Sequence, residues 1–265
     1  MRTLLYLLFL PLLVACGEVN DSARGDVQPE APEETTMTKP AETMKAKVTP
    51  VFHAAVVLEF GGKTIFVDPY DKPEKFAGFA APDMVLITHT HGDHFNKPVL
   101  SALDLSDATL IGPAAVTAAA DTLDLGFKKI VTLANGEDFI KGDIDVMAVP
   151  AYNLPKSDDS RHPPGKFNGY VIELGNERYY FSGDTEDIEE MRALENIDYA
   201  FVCMNLPYTM PMDAAADAVV AFKPRVVYPY HYRNQGGELM NTEEFAQMVR
   251  EGDKSIEVRV LDWYQ

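Results

Sequence analysis

An apolar run passes directly into a histidine cluster in Met84-Val85-Leu86-Ile87-Thr88-His89-Thr90-His91-Gly92-Asp93-His94. The apolar part is typical of a buried strand, and the cluster holds three of the chain's six histidines. Imidazole nitrogens and carboxylate oxygens are ligands that borderline divalent metals such as Zn²⁺ prefer. His89 and His91 are two residues apart at a strand end, so both side chains can point the same way and chelate one ion. Beyond the turn, Asp93 and His94 can face a second ion.

Two other predicted strands also end in side chains that bind metals. Tyr180-Phe181-Ser182-Gly183-Asp184-Thr185 places Asp184 at a strand tip, where its carboxylate could bridge two cations. Read alone, Asp184 is equally well explained as a helix N-cap. Val226-Val227-Tyr228-Pro229-Tyr230-His231 delivers His231 at the carboxyl end of an apolar strand, where open α/β sheets place ligand chemistry. We therefore predict that Asp184 and His231 join the histidine cluster.

The first residues predict export. A basic start, a leucine-rich apolar run and a small residue make residues 1–15 a secretory signal peptide. The apolar run is too short to span a bilayer comfortably as a permanent helix. Leu13-Val14-Ala15-Cys16 resembles the lipobox of bacterial lipoproteins, which implies cleavage before Cys16 and lipid such as palmitate on that cysteine. Gly17 then implies an outer-membrane anchor facing the periplasm if the host is Gram-negative. An ordinary signal peptide with a chance cysteine is the alternative.

Residues 16–47 predict a disordered acidic tether between the lipid and the folded body. This stretch is rich in Glu, Pro, Thr and Ala and cannot bury enough apolar surface to offset its ordering entropy. It is typical of a flexible linker, and an acidic docking segment is the alternative. Residues 48–265 suit a single α/β domain.

Composition limits the partners. The formal charge of −18 disfavours nucleic acid, because proteins that bind it are usually basic. Cys16 and Cys203 are the only cysteines, so acylation of Cys16 would leave no disulfide framework. Cys203 lies in an apolar run and is predicted to be a buried, inert thiol. We expect a small-molecule or lipid-like substrate and membrane contact through the lipid anchor, while the oligomeric state stays open.

In residues 48–265 a predicted hairpin is followed by alternating strands and helices, and this order occurs roughly twice. Gly61-Gly62 and Gly175-Asn176 mark two hairpin turns. This order indicates two sheets covered by helices. The predicted strands are 51–60, 63–68, 84–87, 108–111, 129–133, 143–149, 167–174, 178–182, 199–204, 225–230 and 256–261. The predicted helices are 97–104, 113–124, 186–194, 212–222 and 242–251.

The spacing His89-x-His91-x-Asp93-His94, followed by Gly183-Asp184-Thr185 and a late His231, resembles the metallo-β-lactamase-fold hydrolases. The most similar branch contains ascorbate-6-phosphate lactonase-like and N-acyl-phosphatidylethanolamine phospholipase D-like enzymes. The resemblance implies a four-layer αββα sandwich with a metal pair at one edge of the two sheets. Further matching stretches are His53-Ala54, Asp68-Pro69, Ala151-Tyr152-Asn153, His162-Pro163, Gly169-Tyr170 and Tyr208-Thr209-Met210.

The resemblance also implies a role for each ligand. His89 and His91 would hold the first metal, and Asp184 would bridge to the second. The second metal would be held by three further side chains, namely Asp93, His94 and His231. Asp68 would fix the tautomer of a ligand histidine from behind, as metal-bound imidazoles usually require. Two Zn²⁺ ions are expected, with Mn²⁺ or Fe²⁺ as alternatives.

One position departs from the family pattern. The family usually supplies a third histidine to the first metal, and here the corresponding residue is Asn153, a poor Zn²⁺ ligand. His162 could replace it, face the substrate or be structural. His53 is either a core residue or close to the pocket. Three loop residues either frame the cleft or are ordinary solvated surface, namely Arg161, Lys166 and Tyr208.

The expected chemistry is metal-dependent hydrolysis of an ester, lactone or phosphodiester bond. A metal pair lowers the pKa of a bound water toward neutrality and polarises the bond under attack. Asp93 would orient the resulting hydroxide, His231 would steady the developing negative charge, and Asp184 would hold both ions. A non-catalytic metal- or ligand-binding lipoprotein of the cell envelope is the alternative. A flavodiiron-like redox role is disfavoured because the sequence has no flavin domain.

Overall fold

The computed structural model describes residues 45–264. The predicted signal peptide, the lipidation site Cys16 and most of the predicted tether lie outside the described residues. Strand β1 begins at Lys47, the last residue that the sequence assigned to the tether. Within residues 45–264, no helix is both long enough and apolar enough to cross a bilayer.

Two mixed sheets form the body. One sheet has six strands in the order β1-β2-β3-β4-β5-β6, antiparallel up to β3 and parallel beyond it. Its strands are β1 (Lys47–Phe52), β2 (Ala55–Phe60), β3 (Lys63–Val67), β4 (Met84–Leu86), β5 (Thr109–Gly112) and β6 (Lys129–Thr132).

The other sheet has seven strands in the order β13-β12-β11-β10-β9-β8-β7, antiparallel from β7 to β10 and parallel from β10 to β13. Its strands are β7 (Asp138–Lys141), β8 (Ile144–Ala151), β9 (Phe167–Leu174), β10 (Glu177–Phe181), β11 (Tyr199–Cys203), β12 (Val226–Tyr230) and β13 (Glu257–Val258). The helices are α1 (Lys97–Ala102), α2 (Ala114–Thr122), α3 (Glu189–Arg192), α4 (Met212–Phe222) and α5 (Thr242–Gly252), with a short 3-10 helix at Pro73–Phe76.

The alternation of side chains along β2 explains the layers. Val56 and Leu58 point to one face and pack in a core that includes Ile172 of the other sheet. Val57 points to the opposite face and packs with Val99 of α1, because successive side chains on a strand face opposite sides. Helices α4 and α5 contribute to the core of the seven-stranded sheet. The order helix–sheet–sheet–helix confirms the predicted αββα sandwich.

Three strands differ from the prediction. The predicted strand 51–60 is broken by a turn at His53, whose φ of 59° takes it out of the extended conformation. The edge strand β7 was missed; it is largely exposed, so it carries little apolar pattern. The last predicted strand, 256–261, shortens to β13, and the chain then turns inward to bury Trp263 completely.

Helix α3 is shorter than the predicted helix 186–194 for a chemical reason. Its N-cap is Ile188, so Asp184 and Thr185 do not cap it. Thr185 instead hydrogen-bonds through its hydroxyl to the backbone of Tyr152, and Asp184 points into a histidine cluster. The residues that would have opened a longer helix are therefore engaged elsewhere.

Candidate metal centre

The candidate site lies where several strands end at one edge of the sandwich. The loop after β4 carries His89, His91 and His94, while Asp184 follows β10 and His231 follows β12. The carboxyl ends of parallel strands in both sheets meet at this edge, which is where such sheets hold ligand chemistry. The structure thus brings together side chains that are far apart in the sequence.

A first group of ligand atoms comes from His89, His91, His162 and Asp184, all within 4.8 Å of one another. His89 Nε2 lies 2.9 Å from His91 Nδ1. Asp184 Oδ2 lies 3.3 Å from His162 Nε2 and 3.9 Å from His89 Nε2. Three imidazoles and one carboxylate oxygen therefore surround one point.

A second group comes from His94, His231 and the same Asp184. Asp184 Oδ1 lies 3.3 Å from Nε2 of both His94 and His231, and those two nitrogens are 3.2 Å apart. Asp93 Oδ2 approaches His231 Nε2 at 3.5 Å and His94 Nε2 at 4.0 Å. The two oxygens of Asp184 thus face two separate groups, which is the geometry of a bridging carboxylate.

His94 is held from behind by Asp68, which is fully buried. Asp68 Oδ2 accepts hydrogen bonds from His94 Nδ1 and from the Thr88 hydroxyl, both at 2.7 Å. Its other oxygen accepts from the Thr88 backbone N–H at 2.8 Å. Against the effect of burial, Asp184 and Asp68 hold the pKa of His94 well above its ordinary value. Because Nδ1 donates to Asp68, a bound cation would displace the proton on Nε2 and take the lone pair of that nitrogen.

His162 occupies the place that the sequence left open for the third histidine of the first group. Asn153 stands behind it, and its Oδ1 accepts from the His162 backbone N–H at 2.8 Å and from Nδ1 at 3.0 Å. The Asn153 amide in turn donates to the Tyr208 carbonyl at 2.8 Å. Asn153 therefore orients the His162 ring toward Asp184, in the way that Asp68 orients His94.

His53 lies in the pocket, buried beside the second group. Its Nε2 is 3.4 Å from Asp93 Oδ2, and its ring centroid is 3.7 Å from that of His231. Burial, followed by the nearby His231, lowers the pKa of His53 to about 4. His53 Nδ1 and the Tyr264 hydroxyl are 3.0 Å apart. Sequence reasoning missed Tyr264, because no local pattern indicates that the chain returns to the site after β13.

The electrostatics of the cluster fit a divalent cation. Burial is the largest cause that holds the pKa of His89 well below its ordinary value, and burial also lowers the pKa of His91 to about 4. Both imidazoles are therefore neutral near pH 7, as metal ligands must be. Burial alone would raise the pKa of Asp184, but His231 and His94 hold it well below its usual range.

Three buried atoms of the cluster residues also lack a hydrogen-bond partner among the described residues, namely His162 Nε2, Asp184 Oδ1 and His231 Nδ1. An unpaired polar atom in the interior costs about 1–3 kcal/mol. Neutral imidazole nitrogens that converge on one point are likewise unfavourable without a shared cation. The donor set of nitrogen and carboxylate oxygen is the one that Zn²⁺ and related ions prefer, so these residues fit a divalent metal.

A cavity of about 400 Å³ opens over the cluster. Asp93 and Asp184 line it, and so do Arg161 and Tyr208, two of the loop residues that the sequence placed beside a cleft. The third such residue, Lys166, is exposed and does not line this cavity. Sequence reasoning missed Arg233, which also lines it; its position two residues after His231 was the available signal.

Known proteins resemble this chain in sequence and in fold. The profile of the Beta-lactamase superfamily domain matches residues 47–231. A curated relative, the UPF0173 metal-dependent hydrolase of Pyrococcus abyssi, is 30% identical over 227 residues, which cover 79% of this chain and 93% of the relative.

Two solved structures share the fold. A protein described as a metal-dependent hydrolase from Parabacteroides distasonis has a TM-score of 0.72 at 34% identity, covering 84% of this chain and 94% of that one. Igni18, a metallo hydrolase from the archaeon Ignicoccus hospitalis, has a TM-score of 0.69 at 25% identity, covering 83% and 96%. The narrower resemblance to the lactonase-like and phospholipase-like branch stays a prediction. The family profile, the curated relative and the buried cluster agree: this chain belongs to the metallo-β-lactamase-fold superfamily and is a metal-dependent hydrolase.

Proposed function

We propose that the protein binds two Zn²⁺ ions and hydrolyses an ester, lactone or phosphodiester bond in a small-molecule or lipid-like substrate. The observation that carries this proposal is the position of Asp184, whose two oxygens each face a different group of imidazoles. In this assignment Asp184 would contribute to holding both ions. The first ion would be held by His89, His91 and His162. The second ion would be held by Asp93, His94 and His231.

Bound metals of this kind supply Lewis acidity and lower the pKa of water, and the chain's own residues do the remaining work. Asp93 is one-third exposed at its side chain and lines the cavity. Burial would raise its pKa, but the His231 and His53 side chains hold that pKa well below the usual range. Asp93 is therefore an ionised acceptor that can orient a water by hydrogen bonding to its proton.

Two buried imidazoles, those of His231 and His162, lie beside the carboxylates of the site. His231 lies beside Asp93 and approaches Asp184 Oδ1, whereas His162 approaches Asp184 Oδ2. Both side chains are buried, so water does not compete strongly for their ring nitrogens. Because these nitrogens would be occupied by the cations, we infer that the two histidines act through the ions that they would hold, whose Lewis acidity stabilises the negative charge that develops on the bond under attack.

The position of His162 bears on the non-catalytic alternative. That alternative rested on an incomplete set of ligands for the first metal, because Asn153 is a poor ligand. In the structure His162 stands in the first group and Asn153 supports it. The observation that favoured a non-catalytic lipoprotein is therefore removed, and hydrolysis is the function that we adopt.

Metal analysis and activity of an Asp184→Ala variant test the proposal. We expect the wild-type chain to hold two equivalents of Zn²⁺ and to turn over bis-p-nitrophenyl phosphate or a lactone. Turnover of nitrocefin alone, whose β-lactam is a cyclic amide, would contradict the choice of bond. Asp184→Ala should lose activity and most of the metal while its circular dichroism spectrum is retained.

The matched control is Asp217→Ala, which removes an exposed carboxylate from α4 and should behave like the wild type. Full activity in Asp184→Ala would contradict the assignment. Two metals bound without turnover of any probe would contradict the choice of bond but not the metal centre.

We also propose that the protein acts in the cell envelope. The support is the lipobox-like Leu13-Val14-Ala15-Cys16 after a signal-like apolar run. Lipid on Cys16, followed by an acidic tether, would place the hydrolase near the membrane surface and its lipids.

A further inference from the structure

Two arginines line the cavity above the metal centre, although the chain as a whole carries a charge of −18. The Arg161 guanidinium stacks over the ring of Tyr208 at 4.3 Å. The Arg233 guanidinium lies 5.2 Å from the ring centroid of Phe52 and 5.3 Å from that of Tyr264. Both stand on aromatic faces, which favour a cation without neutralising it.

Neither guanidinium has a carboxylate within ion-pair distance among residues 45–264. Other arginines in the same part of the chain do: Arg192 pairs with Asp187, Arg225 with Asp198 and Glu177, and Arg259 with Glu257. Among the described residues, Arg178 also lacks an ion pair, but it does not line this cavity. Acidic side chains are abundant on this protein, so two unpaired arginines that line the same cavity over the centre are a specific feature. Their N–H groups remain available to a ligand.

The chemistry of a stacked arginine selects its ligand. A guanidinium is planar and always charged, and its N–H fork matches the two oxygens of a carboxylate or a phosphate. Contact with an aromatic ring restrains the guanidinium before the ligand binds, so less side-chain entropy is lost on binding.

The size of the cavity limits the ligand to a small one. A volume of about 400 Å³ lies at the lower end of the range for small-molecule sites. Asp93 and Asp184 line the same cavity as the two arginines, so one small ligand can face both the metal cluster and a guanidinium.

We propose that the substrate carries an oxyanion group, a carboxylate or a phosphate, in addition to the bond that is hydrolysed, and that Arg161 and Arg233 bind this group. The proposal rests on the proposed function, because it assigns the substrate class of the same site. The oxyanion could belong to a soluble metabolite or to a lipid headgroup. The two sources share one chemistry and are separated by the experiment.

The first arm of the test compares two esters with the same leaving group and chain length. One is neutral p-nitrophenyl hexanoate, and the other is mono-p-nitrophenyl adipate, which ends in a carboxylate. The readout is the ratio of kcat/KM for the charged ester to kcat/KM for the neutral one, measured on the zinc-loaded full chain in detergent. We expect Arg161→Gln and Arg233→Gln each to lower this ratio at least tenfold, and Arg233→Lys to restore part of it.

The control is Arg250→Gln, which removes an arginine that pairs with Glu243 on α5, at 2.8 Å. That variant should leave the ratio unchanged. Ratios within twofold of the wild type in both the Arg161 and the Arg233 variant would overturn the proposal. Two separate arginines keep the test valid if one variant folds poorly.

The second arm measures binding without turnover. Isothermal titration calorimetry with adipate, inorganic phosphate and dihexanoyl phosphatidylglycerol gives a dissociation constant for each variant. An increase of at least tenfold in the glutamine variants for adipate or phosphate supports a soluble oxyanion. The same increase for the lipid alone supports a headgroup. Unchanged constants for all three ligands overturn the proposal, even if no ester is turned over and the choice of bond has failed.

Discussion

Replacement of Asp68 by Asn probes how much the support behind His94 contributes to metal binding. Asp68 is fully buried and has a φ of 44°, a left-handed conformation that Asn tolerates better than Ala. The carboxylate accepts three hydrogen bonds, from His94 Nδ1, the Thr88 hydroxyl and the Thr88 backbone N–H. An amide in its place keeps the shape but turns one acceptor into a donor, so one buried donor must face another.

The size of the effect follows from those contacts. Loss of the partner behind a metal-bound histidine typically weakens metal affinity by about 10–100-fold, or roughly 1.4–2.7 kcal/mol. The unpaired buried donor costs about a further 1–3 kcal/mol in the stability of the fold. We therefore expect Asp68→Asn to weaken zinc binding at the second position at least tenfold and to lower the free energy of unfolding by about 1–3 kcal/mol.

Competition with a chromophoric chelator measures the affinity, and urea denaturation measures the stability. Asp124→Asn is a matched control, because Asp124 also has a positive φ, 47°, but is exposed. A zinc affinity in Asp68→Asn that stays within threefold of the wild type would refute the role assigned to Asp68. A loss of stability without a loss of affinity would mean that Asp68 supports the fold only.

Three further outcomes are expected. Gly169→Ala would place a Cβ 2.7 Å from the Phe181 carbonyl oxygen, so it should lower the free energy of unfolding by about 1–3 kcal/mol. The control Gly78→Ala adds a Cβ that meets nothing within 4 Å and should change stability little. Equal urea midpoints for the two variants would contradict this reasoning. Burial raises the pKa of the Cys203 thiol from 9.0 to about 11. The stabilising contribution of the protonated thiol is therefore present below pH 9 and is lost as the pH rises toward 11. Relative to Cys203→Ala, the wild type should lose about 2–3 kcal/mol of unfolding free energy over that interval, and parallel pH profiles of the two proteins would exclude the effect. Cys16→Ser should move the protein from the membrane fraction to the soluble fraction, and mass spectrometry showing an unmodified Cys16 in the wild type would contradict lipid attachment.

The centre of the site is predictable because its signals are local. The run from Met84 to His94 contains both the strand and its histidines, so the spacing alone indicates that they converge. Asp184 and His231 could be added because each follows an apolar strand of its own. The rule that carboxyl ends of parallel strands meet at one edge then brings distant residues together.

The periphery of the site depends on contacts that no local pattern records. The choice between Asn153 and His162 is made by the hydrogen bonds between them, which require the loop to fold back over nine residues. His53 reaches the pocket only because the chain turns there with a positive φ. Tyr264 approaches His53 from the far end of the described chain. Each depends on tertiary structure that overrides the local preference.

The distribution of the ligand groups between the two sheets has a mechanical consequence. The loop after β4 extends from one sheet, whereas the loops after β10 and β12 extend from the other. Cations held between them would therefore cross-link the two halves of the sandwich at a single edge. Removal of the cations by a chelator should first destabilise that edge. Amide exchange and proteolytic cleavage should then begin in these loops, while the opposite edge stays folded.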